Sequence, residues 1–223
     1  MAVEEVDLGV TADPGNITLP VEFQAYFEEA NQQIDTFFES ERNKRYPTYI
    51  PCNALLVYEA LRAILDQKLT FDTVFCEWGS GFGLVTGLAA LLGYSACGVE
   101  IESELVDRSN KLLDQFGIEA TILETSYVPE GFEEFSGIDG AGLILQDAQA
   151  QDFEAVYEGM DYPLSEVDVF FVYPWPGDQE FMQQLFDAVA VEGSILLAYH
   201  ADGEIYAYRK VIDPDEIHSF SLA

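Results

Sequence analysis

Glu77-Trp78-Gly79-Ser80-Gly81-Phe82-Gly83 is the segment whose residue types and spacing best suit ligand binding. Thr73 to Glu77 reads as a short buried strand, and Gly83 to Leu92 as an apolar helix ended by Gly93. Glycines permit the positive φ of a tight turn and let a ligand approach where a Cβ would collide. The helix behind the turn presents unpaired N–H groups. In an open α/β sheet such a turn lies at a ligand-binding switch point. The dinucleotide pattern G-x-G-x-x-G is not met. Its third glycine would fall on Leu84 counted from Gly79, and on Thr86 counted from Gly81. No G-x-x-x-x-G-K-[ST] phosphate loop is present. A second strand, Ala96 to Ile101, carries a carboxylate, Glu100, at its end. A carboxylate can accept two hydrogen bonds from a vicinal diol.

Tyr173-Pro174-Trp175-Pro176 is the second chemistry-bearing segment. It follows Val167 to Val172, a strongly apolar strand. The prolines stiffen it. Tyr173 offers a hydroxyl, and Trp175 a flat face for a planar or cationic group. The competing reading is a rigid strand-to-helix turn with a core tryptophan. His200 follows the strand Ser194 to Tyr199 and has the chemistry of a general base, or is simply a polar strand-end residue. Arg42, Lys44 and Arg45 either close over a ligand carboxylate or satisfy a helix C-terminus. Cys76 reads as core packing, His218 as structural, and Phe23, Phe27 and Phe37 as core or a dimer face.

The elements that position these groups alternate. Val21 to Arg42 and Asn53 to Gln67 show helical apolar spacing. Ser103 to Phe116 reads as a helix capped by Ser103 and stopped at Gly117, Ala120 to Leu123 as a strand, and Asp178 to Val189 as a helix. Ile205 to Val211 and Ile217 to Leu222 are expected to close the sheet as an antiparallel pair. Between 126 and 165 the pattern is weak, and Gly137 to Gly142 is expected to break any regular element. Residues 1–19 read as a loose polar tail. Buried strands alternating with helices predict an α/β fold, with a mostly parallel sheet covered on both faces. The expected division is an N-terminal tail and amphipathic helix over 1–45, then one ligand-binding domain over 46–223.

The charge is extreme, with 41 acidic residues against 9 basic and a formal net charge of −32. Acidic residues spread along the whole chain suit a salt-adapted surface; the other reading is recruitment of a basic partner. Such a field repels phosphate backbones, so the expectation is no nucleic-acid partner. No apolar run reaches the roughly 20 residues of a membrane span, and the acidic start does not resemble a signal peptide. Three scattered cysteines, Cys52, Cys76 and Cys97, suit neither a disulfide framework nor a zinc site. A cytoplasmic protein without a membrane partner or metal is expected.

The glycine segment resembles motif I of the class I methyltransferases that use S-adenosylmethionine (SAM), E/D-x-G-x-G-x-G, and the match is complete. The resemblance covers roughly residues 46–223. It implies a Rossmann-like, seven-stranded sheet with SAM as cofactor. It places Glu77 near the amino-acid part of SAM, wraps Gly79, Gly81 and Gly83 around it, and assigns Glu100 and Ile101 to the ribose side. The loop after the third strand, Glu124-Thr125-Ser126 or else Gln146-Asp147, would flank the adenine. Amino methyltransferases of the family often place a polar residue, two prolines and an aromatic after strand four. Here Tyr173 stands at the polar position, and Trp175 lies between the prolines. The acceptor remains unidentified, with a small molecule or protein side chain favoured over nucleic acid. Tyr173, Trp175 and His200 are the candidate catalytic residues. The alternative is a non-catalytic SAM-binding module that regulates or recruits.

Overall fold

The computed structural model describes residues 3–11, 17–40, 42–46, 49–137, 140–145 and 154–211. Strand β1 spans Val3–Glu5 and helix α1 Val21–Glu39. A 3-10 turn over Arg42–Arg45 leads to α2, Ala54–Gln67. Then β2 (Val74–Trp78), α3 (Leu84–Leu91), β3 (Ser95–Glu100), α4 (Ser103–Phe116) and β4 (Ala120–Glu124) alternate. A hairpin follows, β5 (Phe132–Gly137) with β6 (Gly140–Leu145). The chain returns to the main sheet through β7 (Val169–Val172), α5 (Gln179–Val189), β8 (Ile195–Tyr199) and β9 (Ile205–Lys210).

The main sheet has seven strands in the order β1-β9-β8-β7-β2-β3-β4. β8, β7, β2, β3 and β4 are parallel, and β9 runs antiparallel to both of its neighbours. β7 and β2 are central, and their side chains alternate between two cores. Phe75, Val169, Phe171, Ile195 and Leu197 face the core beneath α1 to α4. Cys76, Trp78, Phe170, Val172 and Leu196 face the core closed by α5. A strand buried on both faces must be apolar throughout, which is why these strands read as continuous runs.

Several elements depart from the sequence reading. The polar N-terminal segment is not loose at its start. Val3–Glu5 pairs with Tyr208–Lys210 at the sheet edge, where backbone hydrogen bonds suffice and an apolar face is not required. Arg209 adds an ion pair to Glu4 at 3.4 Å. The antiparallel pairing of β9 is therefore made with β8 and β1; the expected partner 217–222 lies outside the described residues. Gly137 to Gly142 does not end regular structure, because Gly137 is the last residue of β5 and Gly140 to Gly142 belong to its partner β6. Ser103 is the first helical residue of α4 and not its cap; the cap position is Glu102. Helix α1 stops at Glu39, where Ser40 donates its backbone N–H to Thr36 O and its hydroxyl to Phe37 O.

Candidate functional site

The glycine turn is fixed from three directions. Gly79 and Ser80 donate their N–H groups to Val99 O in β3, at 3.0 and 2.9 Å. Ser109 of α4 donates its hydroxyl to Gly81 O at 2.8 Å. Tyr26 of α1, fully buried, donates its hydroxyl to Gly83 O at 2.8 Å. Gly79 has φ 75°, and a Cβ there would meet nothing within 4 Å, so the backbone lies open to the cleft above it. Gly81 has φ 53° and sits under the Tyr49 ring; a Cβ would lie 2.3 Å from Tyr49 Cε2. Phe37, Phe38 and Phe82 pack around that ring, and Tyr46 donates to Glu104 Oε2 at 3.1 Å. Tyr49 is thereby held over the turn.

Two carboxylates flank the turn. Glu77 Oε2 accepts the backbone N–H of Thr86 at 2.8 Å and its hydroxyl at 2.5 Å. Burial nevertheless pushes the Glu77 carboxyl up to about 8; the Thr86 bonds oppose the rise, and the charge of Glu100 adds to it. Glu100 lines the cleft. Its Oε2 accepts from Gly81 N and its Oε1 from Glu102 N, both at 2.9 Å. An ionised carboxylate has roughly four acceptor sites. Those two bonds leave capacity for a diol.

The cleft has a volume of about 390 Å³ and opens at the C-terminal ends of β2, β3, β4 and β7. Gly79, Glu100, Ile101 and Ser126 line it, as do Tyr173 and Trp175. The order β7-β2-β3 puts Tyr173 and Glu100 on opposite sides of Gly79. Trp175 is 42% exposed, so it is not a core residue, while Tyr173 packs edge-on against Tyr199. Glu77 lies below, lining a cavity of about 50 Å³ that also meets Gly79, Ser80, Tyr49 and Tyr173. Gly81 and Gly83 shape the turn without lining the cleft. His200 is not brought to it. That side chain lines a separate crevice beside Pro174, and its ring packs on Tyr206 at 4.8 Å, because β8 lies beyond β7 from the cleft. Lys44 and Arg45 are exposed and do not line the cleft. Gln146-Asp147 lies outside the described residues.

These residues fit SAM on four counts. Glu100 has acceptor capacity for ribose hydroxyls. Ile101 is 67% exposed on the cleft wall, a large apolar side chain suited to cover a flat base. Gly79 leaves the space a Cβ would take. The buried Ser80 hydroxyl, in the small cavity with Glu77, has no hydrogen-bond partner among the described residues.

Sequence reasoning missed Tyr26 and Ser109, which brace the turn, and Thr86, which holds Glu77. It also missed Tyr127, Asp178 and Met182 on the cleft wall. The position of Tyr127 and Asp178 just beyond strands β4 and β7 was the available signal, since residues at those ends face the site.

No family model matches the chain, and no curated protein matches its sequence. Solved structures do resemble it. An RNA methyltransferase from Salinibacter ruber, crystallised with S-adenosyl-L-homocysteine, is 16% identical with a TM-score of 0.48, over 74% of this chain and 98% of that one. A SAM-dependent methyltransferase from Clostridium acetobutylicum is 11% identical with a TM-score of 0.43, over 74% and 56%. A tRNA (m1A58) methyltransferase from Aquifex aeolicus is 12% identical with a TM-score of 0.39, over 63% and 46%. The presence of RNA methyltransferases among these neighbours corrects the exclusion of nucleic acid as a partner. Net charge describes the far field of the whole surface, and the acceptor class does not follow from it. No helix among the described residues is long and apolar enough to cross a membrane. By its strand order, and by where the glycine turn falls in that order, the chain has an α/β, Rossmann-like fold with a seven-stranded, mostly parallel sheet, and in this it is similar to these methyltransferases.

Proposed function

We propose that this chain binds SAM in the cleft above Gly79 and transfers its methyl group to an acceptor held beside Tyr173 and Trp175. One observation carries the reading: a single cleft joins Glu100, Ile101 and Ser126 on the β3–β4 side to Tyr173 and Trp175 on the β7 side, across an open glycine turn. Glu100 accepts the ribose hydroxyls, Ile101 packs on the base, and Ser126 offers a hydroxyl near its rim. Glu77 and the Ser80 hydroxyl hold the amino-acid end in the smaller cavity; a cationic ammonium there favours the ionised form of Glu77. Bound SAM supplies an electrophilic methyl group on a sulfonium. The protein's contribution is then proximity, alignment and exclusion of water. Tyr173 orients the acceptor with its hydroxyl, and Trp175 fixes it by its face. His200 lies off the cleft, so no proton transfer is placed on it.

Labelled SAM incubated with the purified protein and a fractionated cell extract tests the transfer. Label in any acceptor fraction, lost in Trp175→Ala, supports it. SAM binding with no label in any fraction reduces the protein to a binding module.

A further inference from the structure

The acceptor side of the cleft has a chemistry that selects its ligand. Trp175 and Tyr127 present aromatic surface, Met182 an adaptable thioether, and Asp178 a carboxylate. No lysine, arginine or histidine lines the cleft among the described residues. The N-terminus of α5 does not supply positive charge in their place, because Asp178 at its cap and Glu180 in its first turn more than offset the helix dipole. An anionic acceptor would find no counter-charge on this wall. A cation would find the indole of Trp175, a residue 42% exposed, and a carboxylate only three residues further along the chain.

We propose that the acceptor is an alkyl amine, methylated on nitrogen, and that the Trp175 face and the Asp178 carboxylate hold the ammonium that results. The proposal rests on the methyltransferase reading above. Transfer forms a nitrogen–carbon bond with the amine lone pair as the sulfur–carbon bond breaks. The electron pair of the broken bond stays on sulfur, leaving a neutral thioether. An alkyl amine is protonated in neutral water, so it gives one proton to water before transfer, which frees the lone pair, and the methylated nitrogen then carries the positive charge. Positive charge thus moves from sulfur to nitrogen as the reaction proceeds. A carboxylate and an aromatic face near the nitrogen bind the later state more strongly than the neutral amine that attacks, which is the condition for accelerating the step. The amine can belong to a free small molecule or to a lysine side chain; the recognition chemistry is shared.

Calorimetric titration of the full chain saturated with S-adenosylhomocysteine tests this with choline, its neutral isostere 3,3-dimethylbutan-1-ol, and acetate. Choline is expected to bind at least ~10-fold more tightly than the isostere or acetate. Trp175→Ala is expected to abolish that preference. Asp178→Asn is expected to reduce it several-fold. Equal binding of choline and the isostere overturns the proposal, as does a preference that survives both substitutions, since the net charge of the chain alone would then explain it. n-Butylamine and a blocked Gly-Lys-Gly peptide, titrated in the same way, separate the sources: tighter binding of the peptide assigns a protein side chain, equal or weaker binding a free amine. Failure to bind S-adenosylhomocysteine at all overturns the methyltransferase reading instead, so the two failures are distinct.

Discussion

The Glu100 carboxylate accepts the N–H of Gly81 at 2.9 Å, which joins the end of β3 to the turn after β2. The same carboxylate lines the cleft. One side chain therefore fixes the shape of the turn and presents acceptor oxygens to the ligand. Loss of this group should do two kinds of damage. Glu100→Ala leaves the Gly81 and Glu102 N–H groups without their partner, while Glu100→Gln keeps one oxygen for them. The alanine variant should lose about 1–3 kcal/mol of stability in denaturant titration, and the glutamine variant clearly less. Equal stability of the two variants would show that the clamp contributes nothing.

Glu77 should make stability depend on pH in a defined direction. Burial raises its carboxyl from 4.5 to about 8, so the folded state retains a proton that the unfolded state has released across that window. Stability from this group is greatest at low pH and declines as pH rises from about 4.5 to 8. Glu77→Gln removes the decline and retains an oxygen for Thr86. The variant should match the wild type near pH 4.5 and exceed it near pH 9, by an amount on the order of 5 kcal/mol at most. Parallel melting curves across this range would show that Glu77 does not retain its proton.

The brace from α1 can be tested without touching the cleft. Tyr26→Phe removes the hydrogen bond to Gly83 O and should cost about 0.5–1.5 kcal/mol. Gly87→Ala should cost more, about 1–3 kcal/mol, because its Cβ would lie 2.1 Å from the Tyr26 hydroxyl. Wild-type stability in both variants would mean that α1 packs on α3 more loosely than these contacts indicate.

What the sequence discloses and what it withholds have separate physical origins. The glycine turn was legible because φ near 75° at Gly79 and the close approach of Tyr49 to Gly81 both favour glycine, so geometry leaves its mark on residue type. Strands β2, β7 and β8 were legible because burial on both faces makes them continuously apolar. β1 was not, since an edge strand is held by its backbone and Val3-Glu4-Glu5 has no apolar pattern. The hairpin of β5 and β6 was hidden by its glycines, which read as breakers. Tyr26 and Thr86 were invisible as site residues because their partners lie 57 and 9 positions away, a relation only the fold creates. His200 was drawn toward the site by its place at a strand end; the sheet order places it one strand too far.

Ionic strength should stabilise the protein. Nine cations can balance the charge of only nine of the 41 carboxylates, and the pairs Arg62–Glu59 and Arg108–Glu104 are short-range contacts along single helices. The remaining carboxylates repel one another, and salt screens that repulsion. The melting temperature should rise between low and molar salt. A flat profile would count against a salt-adapted surface.

Once an acceptor is known, Trp175→Ala should reduce turnover far more than SAM affinity, and Tyr173→Phe should cost about 10- to 100-fold if its hydroxyl orients the nucleophile. Full turnover in both variants, with SAM binding intact, would make the Tyr173–Pro176 segment a stiff turn only.

Direct titration of the purified chain with SAM, read by calorimetry and by the shift in melting temperature, tests the central claim. The account predicts micromolar-range binding, with stabilisation of about 2.7 kcal/mol at a hundredfold excess over Kd. It also predicts that affinity falls at least ~10-fold in Glu100→Ala and when Gly81 is replaced by a bulky residue, since a Cβ there would displace Tyr49 from above the turn. No heat and no shift in melting temperature at millimolar SAM would contradict it.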